Sequence, residues 1–171
     1  MKFFKAVTVV ILLSVGVMLL IGVFVPEIDE EISTEIRAPL VQVYGGVMNT
    51  ENMTMWMDDL VEVERVSGVL AMPGSQFKLH FKSKETEQVY DMEILDIVPL
   101  KSLKLKLEND MLEIVISMRF TAGGLTTKLD TYVQIKGKGL LVKSFLPLMK
   151  SVVTEEIAQD FENFKVLQEK K

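Results

Sequence analysis

The sequence contains no cysteine and a single histidine, His80. The lack of cysteine excludes disulfides, thiol nucleophiles and thiolate metal sites among these 171 residues. A lone histidine excludes a multi-histidine metal centre, and its alternation with Phe77, Leu79 and Phe81 places it on the solvent face of a strand. We therefore expect no metal and no cofactor. A domain of this size can be stabilised by its core alone, so the missing disulfides do not argue against export.

Basic residues are also scarce in the body of the chain. All 24 acidic residues but only 17 of the 19 basic ones follow Val25, so that part carries a net charge of about −7. Phosphate binding needs a basic face, which makes a nucleic-acid partner unexpected. The oligomeric state is left open.

The longest apolar run extends from Ala6 to Val25, between Lys5 and an acidic stretch that begins at Glu27. Twenty helical residues cover about 30 Å, the thickness of a bilayer's hydrocarbon core. We predict a cytoplasmic basic tip (1–5), a transmembrane signal anchor (6–25), an acidic linker (26–31) and an extracytoplasmic domain (32–171), periplasmic or at the cell surface. The alternative is a cleaved signal peptide, but the run is long for one and ends without a small-x-small site.

The remaining chain shows two hydrophobic periods. Residues 32–37 suggest a strand, and Leu40, Val43, Tyr44 and Val47 suggest an amphipathic helix after Pro39. Alternation of period two then predicts strands around 60–64, 77–82, 89–98, 103–107, 112–120 and 127–135. From Leu141 to Leu167 the period is helical, with Pro147 either kinking the helix or marking a later start. This is an α+β fold with an antiparallel sheet of about seven strands and a long C-terminal helix.

Several short motifs occur in an order that resembles the helix-grip fold of the START-like (SRPBCC) superfamily, which includes polyketide cyclase and dehydrase-like proteins. They are Ile36-Arg37-Ala38-Pro39 with Val43, Trp56 beyond the short helices, and Gly74-Ser75 at the start of a strand, followed by Gly124-Leu125-Thr126 and by Asn163-Phe164-Lys165 with Glu169. The resemblance covers residues 32–169.

The resemblance implies a cavity between the curved sheet and the C-terminal helix that takes a lipid or other hydrophobic small molecule. The same side chains would otherwise simply fill the core. The expected wall residues are Trp56, Phe77, Leu79, Phe81, Met92, Ile94, Leu105, Ile114, Ile116, Met118, Leu129, Met149, Val153, Ile157 and Phe161.

Two alternatives remain open at this stage. A cyclase or dehydrase-like enzyme would need a polar acid or base in the cavity, and Asp91, Asp96, Arg119 and Tyr132 are the candidates whose orientation decides it. A non-catalytic protein-interaction module would instead expose a methionine-rich patch around Trp56, formed by Met48, Met53, Met55 and Met57. The same methionines could pack under a short helix.

Overall fold

The computed structural model describes residues 7–8, 10–14, 16–17, 20, 27–69, 71–83 and 86–170. From Glu27 onward, the described residues form seven strands and three α-helices. They are β1 (Glu27–Ile36), α1 (Leu40–Met48), β2 (Leu60–Ser67), β3 (Gln76–Ser83), β4 (Thr86–Val98), β5 (Ser102–Glu108), β6 (Leu112–Ala122), β7 (Thr127–Gly137), α2 (Leu140–Phe145) and α3 (Lys150–Glu169). Short 3-10 helices cover Thr50–Met55 and Leu146–Met149.

The seven strands form one antiparallel sheet in the order β1-β7-β6-β5-β4-β3-β2. Strands β2 to β7 are joined as successive hairpins, so each pairs with its neighbours in sequence. β1 instead pairs with β7 at one edge, and the crossover to β2 at the other edge carries α1 and the first 3-10 helix. The α+β sheet-and-helix architecture predicted from the sequence is confirmed.

β1 begins at Glu27, within the segment expected to be an acidic linker (26–31). Glu27 pairs with Lys136 of β7, and the side chain of Ile28 is buried among Val133, Ile135 and Leu146. The acidic residues alternate with this isoleucine, so Asp29 and Glu31 are exposed on the outer face. The sequence suggested a linker because Ile28 is the only apolar residue in the stretch from Glu27 to Glu31.

The predicted transmembrane helix over 6–25 falls partly outside the described residues. Within it, residues 7–8, 10–14, 16–17 and 20 are helical, with exposed side chains. None of the helices in the described ranges is both long and apolar enough to cross a membrane. The anchor remains a prediction.

The C-terminal helical period is divided into three pieces. α2 ends at Phe145, a 3-10 turn carries Pro147, and α3 starts at Lys150. Proline cannot donate its backbone nitrogen and clashes with the preceding turn, which explains why the long helix starts after it. The later start considered from the sequence is therefore the arrangement found.

α1 and α3 close one end of the sheet through contacts that use the sequence motifs. The backbone N–H of Arg37 donates to Glu169 Oε1 at 2.9 Å, and the Thr127 hydroxyl donates to the Ala38 carbonyl at 2.8 Å. Gln42 Nε2 donates to the Gln168 carbonyl at 2.6 Å. The two ends of the domain are thus joined around the first helix. All residues of both buried core clusters lie between Ile28 and Phe164, so residues 27–170 carry a complete core.

Gly46 allows α1 to approach the buried Gln168 side chain. A Cβ on Gly46 would lie 2.3 Å from Gln168 Nε2, whereas a Cβ on neighbouring Gly45 would meet nothing within 4 Å. The first substitution overpacks a buried contact, and the second only improves helix propensity.

We predict that Gly46→Ala lowers the free energy of unfolding by about 1–3 kcal/mol, as expected for overpacking. Gly45→Ala, the matched control, should raise it by about 0.5–1 kcal/mol because alanine restricts the unfolded chain and favours helix. Urea denaturation of both variants measures the two changes. Equal effects would contradict the close approach of α1 and α3.

Candidate functional site

The buried core is divided into two clusters rather than one. The larger includes Trp56, Phe77, Leu105 and Phe164, and the smaller consists of Ile28, Val133, Ile135 and Leu146. A domain of this size usually has one contiguous core. Three half-buried isoleucines, Ile114, Ile116 and Ile157, pack against both clusters.

Ile114 and Ile116 point toward the helix side of the sheet. Ile116 is paired with Leu105 and Val133, and Ile114 with Leu107 and Ile135; all four partners are buried. Residues directly opposite one another in an antiparallel pair share a face. Both isoleucines are nevertheless only half-buried, as are Val153 and Ile157 of α3. We name the half-buried apolar surface formed by Ile114, Ile116, Val153 and Ile157 the apolar gap.

Two aromatic residues on the sheet's inner face are half-buried beside this region. Phe81 and Tyr90 contact edge to face, with ring centroids 5.6 Å apart. Burial raises the pKa of the Tyr90 hydroxyl, the Asn109 side chain lowers it, and the Glu156 charge on α3 raises it. The hydroxyl donates to Gln88 Oε1 at 3.0 Å. Tyr90 thus places a polar group among apolar walls, a role the sequence did not assign to it.

The structure distributes the predicted wall residues over three environments. Fully packed in the larger cluster are Trp56, Phe77, Leu79, Met92, Ile94, Leu105, Met118, Leu129 and Phe161. Half-buried are Phe81, Ile114, Ile116, Val153 and Ile157. Met149 precedes α3 and is half exposed. As ligand contacts, all of them remain predictions.

The packed end of the core has little free volume. A cleft of about 10 Å³ lies between α1, the first 3-10 helix and the sheet, lined by Val47, Met48, Thr50, Met53, Ala71, Phe77, Met92, Ile94, Leu103 and Leu105. This is about the volume a single water requires. This cleft therefore has no room for a ligand larger than water.

Thr131 places an unpartnered hydroxyl in the inner layer. It lies on β7 between Leu129 of one cluster and Val133 of the other, and its side chain is 1% exposed. Its Oγ1 atom has no hydrogen-bond partner among the described residues. A buried hydroxyl in this state costs free energy, since water would have satisfied it in the unfolded chain.

We predict that Thr131→Val raises the free energy of unfolding by about 1 kcal/mol, because it replaces an unsatisfied hydroxyl with a methyl group of similar shape. Thr127→Val on the same strand is the matched control. Thr127 is equally buried but donates to Ala38, so its substitution should destabilise by about 1–2 kcal/mol. Thermal or urea unfolding measures both, and a loss of stability in Thr131→Val would indicate that its hydroxyl is satisfied in solution.

Asp160 holds the loop after the first 3-10 helix against α3. Its Oδ1 accepts from the Asp58 N–H at 2.7 Å, while Asn163 Nδ2 donates to Asp58 Oδ1 at 3.1 Å. Burial raises the pKa of Asp160 to about 7, the Asp58 N–H bond lowers it, and the nearby Asp58, Glu156 and Asp59 charges raise it. No pattern in the sequence pointed to this carboxyl, because its burial depends on a loop about a hundred residues earlier.

This pKa makes stability depend on pH. The folded value near 7 exceeds the usual unfolded value near 4, so the folded state binds the extra proton. The stability that the folded state gains by binding this proton is complete below about pH 4, and it is lost as the pH rises through about 7. We predict that Asp160→Asn flattens this dependence and is more stable than wild type at pH 8 by about 1 kcal/mol, a value reduced for partial exposure.

Urea unfolding from pH 4 to 8 measures the effect. Glu162→Gln is the control, since Glu162 is an exposed carboxylate of the same helix that pairs with Lys165 at 3.5 Å. If the free energy of unfolding changed with pH in the same way in wild type and in Asp160→Asn, the raised pKa of Asp160 would be contradicted.

The four residues proposed as possible acids or bases all lie on the outer face. Asp91 pairs with Lys78 at 2.8 Å, and Arg119 is opposite Asp130. Tyr132 donates to Asp29 Oδ1 at 2.6 Å. Simple alternation along β4 predicted that Asp96 points inward. A register shift between Ile94 and Asp96 instead places it on the outer face, opposite Lys104.

A polar depression of about 350 Å³ lies on that outer face. Its lining residues are Glu31, Asp96, Ser102, Leu103, Lys104, Ser117, Met118, Arg119, Asp130, Thr131 and Tyr132. It mixes cations and carboxylates and is open to solvent. It lies on the opposite side of the sheet from the apolar gap.

Most of the methionine-rich segment is core. Met53 and Trp56 are buried, Met48 and Met57 pack against the larger cluster, and Met55 is exposed. Trp56 stacks edge to face on Phe164, with centroids 5.1 Å apart. The segment therefore supports the sheet and α3 rather than forming a methionine surface.

Comparison with known proteins supports the fold through structure alone. No protein-family model and no curated protein matches the sequence. The structure is similar to Ara h 8.0201 (14% identity, TM-score 0.70, 85% of this chain and 99% of that one). It is also similar to the Zhui aromatase/cyclase from Streptomyces sp. R1128 (12%, TM-score 0.71, 84% and 94%) and to the di-domain ARO/CYC StfQ from the steffimycin biosynthetic pathway (10%, TM-score 0.67, 84% and 51%).

At these identities the likeness establishes the fold. It extends over more than four fifths of the chain and includes a whole single-domain neighbour. The chain therefore has a helix-grip-like fold, with a seven-stranded antiparallel sheet and a long C-terminal helix.

Proposed function

We propose that this domain binds a lipid or other apolar small molecule in the apolar gap, and that residues 6–25 tether it to a membrane. The observation that carries the first part is the partial exposure of Ile114 and Ile116. They face inward on an interior strand, between buried cross-strand partners, and are only half-buried themselves. Similarity in fold to an aromatase/cyclase is consistent with an apolar ligand at this place.

The chemistry of the walls favours an amphipathic ligand. Isoleucine and valine side chains surround the gap, and each ligand CH2 that they bury contributes about 0.8 kcal/mol. Tyr90 and Asn109 supply hydrogen-bonding groups near one rim. An apolar body with one polar head, such as an acyl chain with its carboxyl or ester, would match both features.

The tether rests on the sequence of the N-terminal run. Twenty apolar residues match the bilayer core in length, and Lys2 and Lys5 favour a cytoplasmic N-terminus. The domain would then be extracytoplasmic and held where apolar ligands are concentrated.

Two other functions receive less support. A cyclase-like enzyme would need an acid or base in the gap, and the four candidates chosen for that role face outward. A protein-interaction module would need an exposed methionine surface around Trp56, which is instead buried with Met53.

Native mass spectrometry of residues 27–171 incubated with vesicle lipids and free fatty acids tests ligand binding. We expect one bound apolar molecule per chain. Ile116→Trp should reduce its occupancy at least tenfold because the indole fills the gap, and Ile157→Phe from the helix side should weaken binding likewise. Ser117→Trp, on the adjacent outer-face position, is the control that leaves binding intact. An apo mass for wild type, or full binding by both gap variants, would refute the proposal.

A further inference from the structure

An apolar stripe on the C-terminal segment has no covering element in the described structure. Leu141, Phe145, Leu148, Met149 and Val152 are exposed, with Leu141 at 68% and Leu148 at 64%. Their spacing of mostly three or four residues places them on one side of the helical path from α2 into α3. The opposite side buries Ser144 and Leu146. We call these five residues the apolar patch.

The patch lies at the end of the sheet where β1 begins. Glu27 is opposite Lys136, four residues before Leu140, the first residue of α2. At the same end, the Lys138 N–H donates to the carbonyl of Met111, whose own apolar side chain is exposed. The described chain therefore enters β1 at the end of the sheet that carries the apolar patch.

The described part of that run does not cover the patch. Val10, Ile11, Leu12, Leu13, Val17 and Leu20 are each more than half exposed. Both the described side chains of that run and the apolar patch are thus uncovered, and one occupant, a lipid bilayer, would cover both. Contiguous exposed apolar surface of this kind marks interaction or membrane sites.

We propose that the apolar patch is a bilayer-docking surface, which seats the domain with this end of the sheet against the lipid. Val152 precedes Val153 of the apolar gap in sequence, and Leu112, which follows the exposed Met111, packs against the same buried cluster as Val153 and Ile114. Docking would therefore open the gap toward the lipid phase. The inference rests on the proposed tether and not on the gap holding a ligand.

The charges around the patch favour neutral lipid. Lys138 pairs with Glu108 at 3.2 Å and Lys150 with Glu30 at 3.7 Å, so two of the nearby cations already face carboxylates. Insertion of apolar side chains, unlike adsorption of a basic face, depends little on salt. Docking on phosphatidylcholine should change little between 50 and 500 mM NaCl.

Spin labels on the full chain in phosphatidylcholine vesicles test the proposal. Because the chain has no cysteine, Phe145→Cys or Leu148→Cys gives a single labelling site. Leu125→Cys is the matched control, since Leu125 is 84% exposed but lies in the β6–β7 hairpin at the opposite end. We expect labels at 145 and 148 to collide readily with oxygen and poorly with a nickel chelate, as in hydrocarbon, and the label at 125 to show the reverse.

The other outcomes each overturn the proposal. Labels at 145 and 148 that behave like 125 would leave the patch in water. Poor collision with both reagents would mean that protein covers the labels. Broadening of the spectrum by spins of neighbouring molecules would identify the covering protein as a second copy of the chain. Without such broadening, residues 6–25 of the same chain would be the cover. Flotation of the vesicles reports separately on the tether, and mass spectrometry reports on the ligand, so failure of docking is distinguishable from failure of the proposed function.

Discussion

The structure depends on a mismatch between one sheet and the helices available to cover it. Seven strands about 4.8 Å apart present an inner face nearly 30 Å wide, whereas a helix with its side chains is about 10 Å across. α1 and the first 3-10 helix cover one end, and α3 crosses the remainder. Inner residues that neither covers, such as Ile114 and Ile116, stay partly accessible. The apolar gap is a consequence of this geometry.

The position of α3 is set by polar contacts along its C-terminal half as well as by packing. Asp160 and Asn163 bind the loop around Asp58, and Glu169 binds the Arg37 backbone. These bonds hold the C-terminal half of the helix against the aromatic cluster of Trp56 and Phe164. Its N-terminal half, with Val153, packs against the smaller cluster of Ile28, Val133, Ile135 and Leu146.

Sequence periodicity predicted the elements better than the site. Period-two alternation located the strands because each has one buried face, and the order of elements was enough to indicate the fold. It failed where a single residue shifts the register. Simple alternation predicted that Asp96 points inward, but the bulge after Ile94 places it on the outer face. It also missed Asp160, because desolvation of that carboxyl requires a loop distant in sequence. Charge obscured the start of β1, where only Ile28 is buried.

The two faces of the sheet suit different chemistry, and this limits where a function can be placed. The outer face pairs its charges across strands, as Lys78 does with Asp91, so it is largely neutralised and solvated. Polar groups of the described inner face, such as Tyr90, Thr127 and Thr131, are not arranged as an acid, base and nucleophile set. Affinity on the inner face must therefore come from burying carbon, with one or two hydrogen bonds to orient the ligand. Such ligands are sparingly soluble in water, which is why a site of this kind gains from lying against a membrane.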